Sequence, residues 1–166
     1  MRLAALALIA LALAAGSAGG TTSVPRCHTA DLHVYLGRAG VAAGSWALDI
    51  AVRNRRGHAC FVYGYPGLGL QDAHHRVMAS RVTWGSSIAR RDPGRHRVVL
   101  RPGRAAFASL SGSDVPFGNE RCRPSAWLEV TPPDERSFRL VRFGATACNH
   151  GHLTVTALAA TRTPHG

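Results

Sequence analysis

Six arginines fall within one short reach of chain, at Arg90, Arg91, Arg95, Arg97, Arg101 and Arg104, with His96 among them and only Asp92 opposing them. A guanidinium stays charged and presents a planar fork of N–H donors that matches phosphate and carboxylate oxygens two at a time. A run this dense is suited to polyanion capture, and these six are the candidate polyanion-binding residues. Arg53, Arg55 and Arg56 form a second cluster at an expected turn, and Arg121 and Arg123 a third beside Cys122. Trp84 lies close in sequence and offers a face on which a base or sugar stacks. Outside a cell the available polyanions are teichoic-type wall polymers, anionic glycans, lipid headgroups and free nucleic acid. The plain alternative is a solvated arginine surface that binds nothing in particular.

Metal chemistry rests on the nine histidines. His150 and His152 flank Gly151. On a strand, residues two apart share a face, so both imidazoles would reach one copper or zinc ion. These two are the candidate metal ligands. The adjacent His74 and His75 would point to opposite faces if extended. The ordinary alternative is a set of solvated imidazoles that gain charge below about pH 6.5.

Catalytic signatures do not assemble. Neither Gly85-Ser86-Ser87 nor Ser111-Gly112-Ser113 fits the G-x-S-x-G elbow of a serine hydrolase. The chain holds no lysine, so no phosphate loop of the G-x-x-x-x-G-K type exists. No dinucleotide fingerprint precedes a helix, and no close carboxylate pair suggests glycosidase work. We therefore expect no enzyme, no catalytic residue and no cofactor.

The compartment is read from the N-terminus and the cysteines. Arg2 precedes an unbroken apolar run from Leu3 to Ala15, followed by the small residues Gly16-Ser17-Ala18. The run is shorter than the roughly 20 residues a membrane helix needs, and it suits an export signal with its cleavage site. The expected layout is a signal peptide over 1–18, a flexible leader over 19–26, one domain over 27–160 and a C-terminal tail over 161–166. No later segment reaches transmembrane length. No cysteine lies beside the cleavage region, which argues against a lipid anchor. The expected location is secreted, extracellular or cell wall-associated. Export makes disulfides the default for the four cysteines Cys27, Cys60, Cys122 and Cys148. Three pairings are open, and we take the sequential one, Cys27–Cys60 with Cys122–Cys148. Zinc is disfavoured because no close C-x-x-C pair exists.

The elements that must position these residues are short and extended. The 166 residues are 46% hydrophobic and 17% charged, with 18 Gly and 9 Pro, which suits one globular domain and excludes collagen, coiled coil and wholesale disorder. The formal net charge is +11. Using arginine in place of lysine leaves charge unchanged, so that preference does not explain the excess. Between Ser45 and Asn54, Trp46, Leu48, Ile50 and Val52 fall on one face, and Ala47, Asp49, Ala51 and Arg53 on the other. This is the pattern of a half-buried strand with Trp46 in the core. Similar runs are Leu32–Leu36, Cys60–Tyr63, Leu68–Gln71, Arg76–Ala79, Val98–Leu100, Ala105–Leu110, Trp127–Thr131, Ser137–Val141 and Leu153–Leu158. Turn residues separate them, as in Arg55-Arg56-Gly57, Asp92-Pro93-Gly94, Arg101-Pro102-Gly103 and Thr131-Pro132-Pro133. Tyr63 to Gly67 reads as a packed turn, Ser86–Arg95 as irregular, and Trp127 as surface-facing. No mature segment of helical length shows a 3.6-residue period. The pattern predicts an all-β fold, an antiparallel, immunoglobulin-like β-sandwich stapled by disulfides, with a small barrel as the alternative.

Several local patterns then fall in a recognisable order. Cys27-x-x-x-Asp31-Leu32 opens the domain, and Asn54 precedes Cys60 and Gly64-Tyr65-Pro66-Gly67. Leu100-x-Pro102-Gly103-x-Ala105 follows, then Cys122, Leu128-x-Val130-x-Pro132 and a late Cys148. Together they resemble the secreted actinobacterial domain-of-unknown-function family 4232, from about Cys27 to Leu158. The resemblance implies an exported or envelope-attached β-sandwich and implies no activity. The chain departs from many relatives in lacking a cysteine at the signal site. We read it as an exported, non-catalytic binding or scaffold module at the cell envelope. Its expected partner is an anionic envelope polymer or another envelope protein, with intracellular nucleic acid set aside. The alternatives are a secreted metal-binding protein that uses histidines and, behind that, an enzyme.

Overall fold

A computed structural model describes residues 23–162. The expected export signal lies outside the described residues. Eleven strands follow a short 3-10 turn at Thr29–Asp31: β1 (Leu32–Ala42), β2 (Ser45–Asn54), β3 (Cys60–Tyr63), β4 (Gly67–Gln71), β5 (Val77–Met78), β6 (Arg81–Trp84), β7 (Arg97–Leu100), β8 (Ala105–Ser113), β9 (Trp127–Thr131), β10 (Arg139–Arg142) and β11 (His152–Val155). They form a five-stranded sheet in the order β1-β2-β8-β11-β6, a four-stranded sheet β10-β9-β4-β5 and a two-stranded ribbon β3-β7.

The register of β2 against β8 sorts side chains into two faces. Trp46 lies opposite Gly112, Leu48 opposite Leu110, Ile50 opposite Ala108 and Val52 opposite Ala106. This inner face meets Leu70, Leu128 and Val130 of the four-stranded sheet, and Val62, Val98 and Leu100 of the ribbon, in one continuous core. The sheets thus pack face to face as a β-sandwich. Burying side chains such as Leu110 and Ile50 supplies roughly 1.5–3 kcal/mol each.

Several expectations need correction. The β6–β11 pair is parallel, so the sandwich is not antiparallel throughout. β6 itself fell in a stretch without strand signal, because its only inward apolar residue is Val82 and it depends on β11 for pairing. β2 is buried on both faces from Trp46 to Val52, not half-buried. Its outer face is covered by the 85–91 segment and by Arg162. The leader expected to be flexible is tied down where it is described: the Cys27 and Phe61 amides donate to Phe61 and Pro25 carbonyls, and Arg97 donates to the Val24 carbonyl at 2.9 Å. Likewise Arg162, assigned to a tail, packs on Phe107 and reaches Asp49.

Two disulfides are formed, Cys27–Cys60 and Cys122–Cys148, spanning 33 and 26 residues. In the chain-entropy account, loops of this length each stabilise the fold by about 3.5 kcal/mol. The first fixes the entry to β1 against β3. The second fixes the 122 loop against the turn that feeds β11.

Trp46 lies across the backbone of Gly112. Its indole N–H donates to the Thr146 carbonyl at 2.8 Å, and its ring meets Phe143 edge-on at 5.3 Å. A Cβ at Gly112 would fall 2.4 Å from the indole, whereas one at Gly40 meets nothing within 4 Å. Gly112→Ala is expected to cost about 1–3 kcal/mol through overpacking, and Gly40→Ala to stay within about 0.5 kcal/mol. Urea unfolding of the oxidised proteins measures both.

Candidate functional site

The structure divides the arginine run instead of presenting it as one patch. After β6 the chain makes a compact loop whose hub is Ser87, a buried residue. The Ser87 hydroxyl lies 2.7 Å from that of Ser109 and accepts the amides of Ala89 and Arg90. This turn delivers Arg90 to Asp49, with 2.7 Å between guanidinium and carboxylate, and Arg162 Nε lies 2.9 Å from the other carboxylate oxygen. Asp49 is 3% exposed. Arg90 is therefore the counter-ion of a buried charge and not a free ligand for a polymer. Arg97 lies over Phe61 at 4.1 Å. Arg91, Arg101 and Arg104 are exposed, with no carboxylate in ion-pair range among the described residues.

Arg95 belongs to an aromatic group. Tyr65 and Trp84 stack nearly parallel, 7° apart with centroids at 5.0 Å. The Arg95 guanidinium lies 5.0 Å from the indole and 5.9 Å from the phenol. These three separations make a nearly equilateral triangle, so the guanidinium sits astride the ring pair. The Tyr65 hydroxyl donates to Asp92, whose other oxygen accepts the Ala157 amide at 2.8 Å. That bond to Asp92 is the main cause that raises the phenol's pKa. Tyr65 was legible only as part of a packed turn. The turn is indeed packed, with Gly64 and Pro66 buried, but it also presents this ring.

A different set of arginines converges at one end of the sandwich. Asn54, fully buried, is the tie. Its side-chain amide donates to the His58 and Leu100 carbonyls at 2.9 Å, and its oxygen accepts the Arg56 amide at 2.8 Å. Its backbone pairs with Arg104 and Gly103 at 2.9 and 3.0 Å. The β2–β3 turn and the β7–β8 turn are thereby held side by side. Arg53, Arg55, Arg56, Arg101 and Arg104, drawn from two sequence clusters, come to one end of the sandwich, and all five are exposed. Asp31 answers only Arg56, at 3.0 Å. Burial pushes the Asp31 carboxyl up, but the His28 amide and Arg56 outweigh it and hold it below the ordinary value. Arg53 lies over Tyr35 at 5.5 Å and pairs across the sheet with His33.

The histidine pair is not brought to one strand. His150 lies in the turn Cys148–Gly151, where Asn149, His150 and Gly151 all take left-handed backbone angles. His152 opens β11, and its Nε2 lies 2.8 Å from the Thr83 hydroxyl. Among the described residues no group of three or more His, Cys, Asp or Glu side chains is placed to hold a metal ion. Arg121 and Arg123 instead line a broad cleft of about 670 Å³ with Arg76, His74 and His150. Trp127, expected at the surface, is half-buried: Arg142 covers it at 4.4 Å and His75 stacks on it at 4.9 Å.

Taken together, these features define a disulfide-stapled β-sandwich with an arginine-rich end and a separate aromatic cleft. The chain belongs to the family described as a domain of unknown function (DUF4232), whose model matches residues 27–159. No curated protein and no solved structure matches it.

Two stability outcomes follow from the charges. Removing Arg90 leaves the buried Asp49 charge with Arg162 alone, so Arg90→Ala should cost about 2–3 kcal/mol, while Arg91→Ala should stay within about 0.5 kcal/mol; denaturant unfolding compares them. Glu120 accepts the Asn149 and His150 amides at 2.7 Å each. The His150 amide is the main cause that lowers its pKa. A lowered carboxylate stabilises the fold above its unfolded pKa, and that contribution is lost as pH falls through the folded value. The melting-temperature deficit of Glu120→Gln should be greatest near neutrality and close as pH drops below about 4. Thermal melts monitored by circular dichroism across that range check it.

Proposed function

We propose that this domain is a non-catalytic binding module that works at the cell envelope and holds an anionic polymer against its arginine end. The observation that carries this reading is the Asn54 tie, which gathers the exposed Arg53, Arg55, Arg101 and Arg104 at one end of the sandwich with no carboxylate in ion-pair range among the described residues. Two disulfides suggest an oxidising, extracellular setting. A cationic surface there concentrates polyanions and speeds their capture.

The carboxylates support a binding role over a catalytic one, because most are committed to holding the fold. Asp49 is paired with Arg90 and Arg162. Asp72 accepts the His74 and Arg76 amides. Asp92 accepts from Tyr65 and Ala157. Glu129 accepts from Gln71, and Glu135 from Thr29.

The test is a salt titration of binding to a polyphosphate-backboned polymer and to a polycarboxylate glycan. Four contacts to charged groups should weaken binding roughly 50- to 150-fold between about 50 and 200 mM salt. A variant with Arg53, Arg55, Arg101 and Arg104 changed to Ser should lose both the binding and most of the salt slope. Equal, weak binding of both polymers by both proteins would show that the charge is background. Arg90 is kept out of the variant because its loss would weaken the fold and confound the binding readout.

A further inference from the structure

At the opposite end of β7 from Arg101 and Arg104, a cleft of about 240 Å³ opens beside the aromatic group. Its walls include Tyr63, Tyr65, Trp84, Arg95, Pro132 and Pro133. We propose that this cleft is a binding site for a single pyranose ring that carries an anionic substituent, with Trp84 and Tyr63 as the stacking surface and Arg95 as the anion partner. The proposal does not rest on the arginine end, which takes charge alone and is a different surface.

Exposed aromatics frame the cleft. Trp84 is 52% and Tyr63 43% exposed. Large aromatic rings left in water beside a concavity mark contact surfaces. The C–H groups on one face of a pyranose carry partial positive charge and pack against the negative face of an aromatic ring. One face of the indole is already taken by Tyr65, and Arg95 straddles the pair without capping the outer face. What remains of the stacked pair is one open indole face, beside the exposed Tyr63 ring, which suits a saccharide. A nucleobase would gain most from insertion between two parallel rings, and that slot is filled. A volume below the usual range for drug-sized ligands suits one ring and is too short for an extended proline-rich segment.

Polar groups of both signs complete the match. Arg95 has no carboxylate in ion-pair range among the described residues and is exposed. Its N–H groups remain available for a carboxylate or phosphate. The carboxylate of Asp134 lines the cleft and is 57% exposed, with Arg26 at 4.0 Å as its one ion-pair partner among the described residues, so it can accept from sugar hydroxyls. Glu135 also lines the cleft, but Thr29 and His28 already occupy it. The platform is rigid before any ligand arrives. Asp92 fixes Tyr65, and the Asp92 amide in turn donates to the Ser86 hydroxyl at 2.9 Å. Pre-organised sites of this kind avoid the cost of ordering side chains on binding.

The test titrates the oxidised full domain with glucuronic acid and N-acetylmuramic acid, with glucose and N-acetylglucosamine as uncharged counterparts. Tryptophan emission and saturation-transfer NMR are the readouts. An acidic sugar is expected to give a saturable response. Trp84→Ala should weaken it about tenfold or more, and Arg95→Gln should erase the preference for acidic over neutral sugar while leaving stacking. The Arg53/Arg55/Arg101/Arg104 variant should bind the sugar as the unaltered protein does, which separates this site from the polymer surface. Should Trp84→Ala fail to fold, Tyr63→Ala, on the exposed face of the ribbon, carries the same expectation. No saturable response to any sugar up to about 50 mM would overturn the proposal. So would tighter binding of adenosine monophosphate or of a proline-rich peptide at the same residues.

Discussion

A carboxylate at position 49 stands on the outer face of β2 with almost no solvent contact, and two guanidiniums from distant parts of the chain close over it. Burying an unpaired charge costs several kcal/mol, so the strand tolerates Asp49 only if Arg90 and Arg162 arrive. That requirement fixes the path of the loop after β6. Ser87 docks on Ser109 to bring Arg90 in, and the same loop then carries Asp92 to Tyr65 and to the Ala157 amide. The placement of the Tyr65–Trp84–Arg95 group is therefore coupled to an ion pair on the outer face of the large sheet. Covering of the sheet and construction of the cleft are one structural event.

The two ends of β7 carry different chemistry for a related reason. At one end, Asn54 joins two turns and gathers arginines that no carboxylate pairs one for one. At the other, a single arginine is held against flat rings. The first surface responds to charge density and is screened by salt. The second offers shape, an exposed face and a few directed hydrogen-bonding groups, whose contacts are less sensitive to ionic strength.

Strands were legible in the sequence wherever alternation and turn residues coincided, as in β2, β3, β8 and β9. The four cysteines and their ordered neighbours pointed to the family. What stayed hidden was mostly contact between distant segments. Asp49 occupies the polar phase of an alternating pattern, so it read as a solvated residue; only the covering loop makes it buried. β6 carries little periodic signal because its place depends on β11, whose strand lies far along the chain. Arg53 and Arg104 belong to separate clusters in sequence and meet only through the Asn54 hydrogen bonds. His150 and His152 fit a shared face only if the chain is extended there, and the left-handed turn at Asn149–Gly151 removes that premise.

The position of β11 has a kinetic consequence. Among the described residues the last strand, β11, lies inside the large sheet, between β8 and β6, and β6 has no other strand neighbour there. While the chain is being made, β1, β2 and β8 can pair, but the β8 edge stays open until residues 152–155 appear. Open edges invite pairing with other chains, and closures across such long separations in sequence are slow. A chain ending before His152 would lose β6 from the sheet along with β11, and Asp49 would lose Arg162. Completion of this fold is thus gated by residues 152–162, and a partly made domain is the species most in need of protection from aggregation.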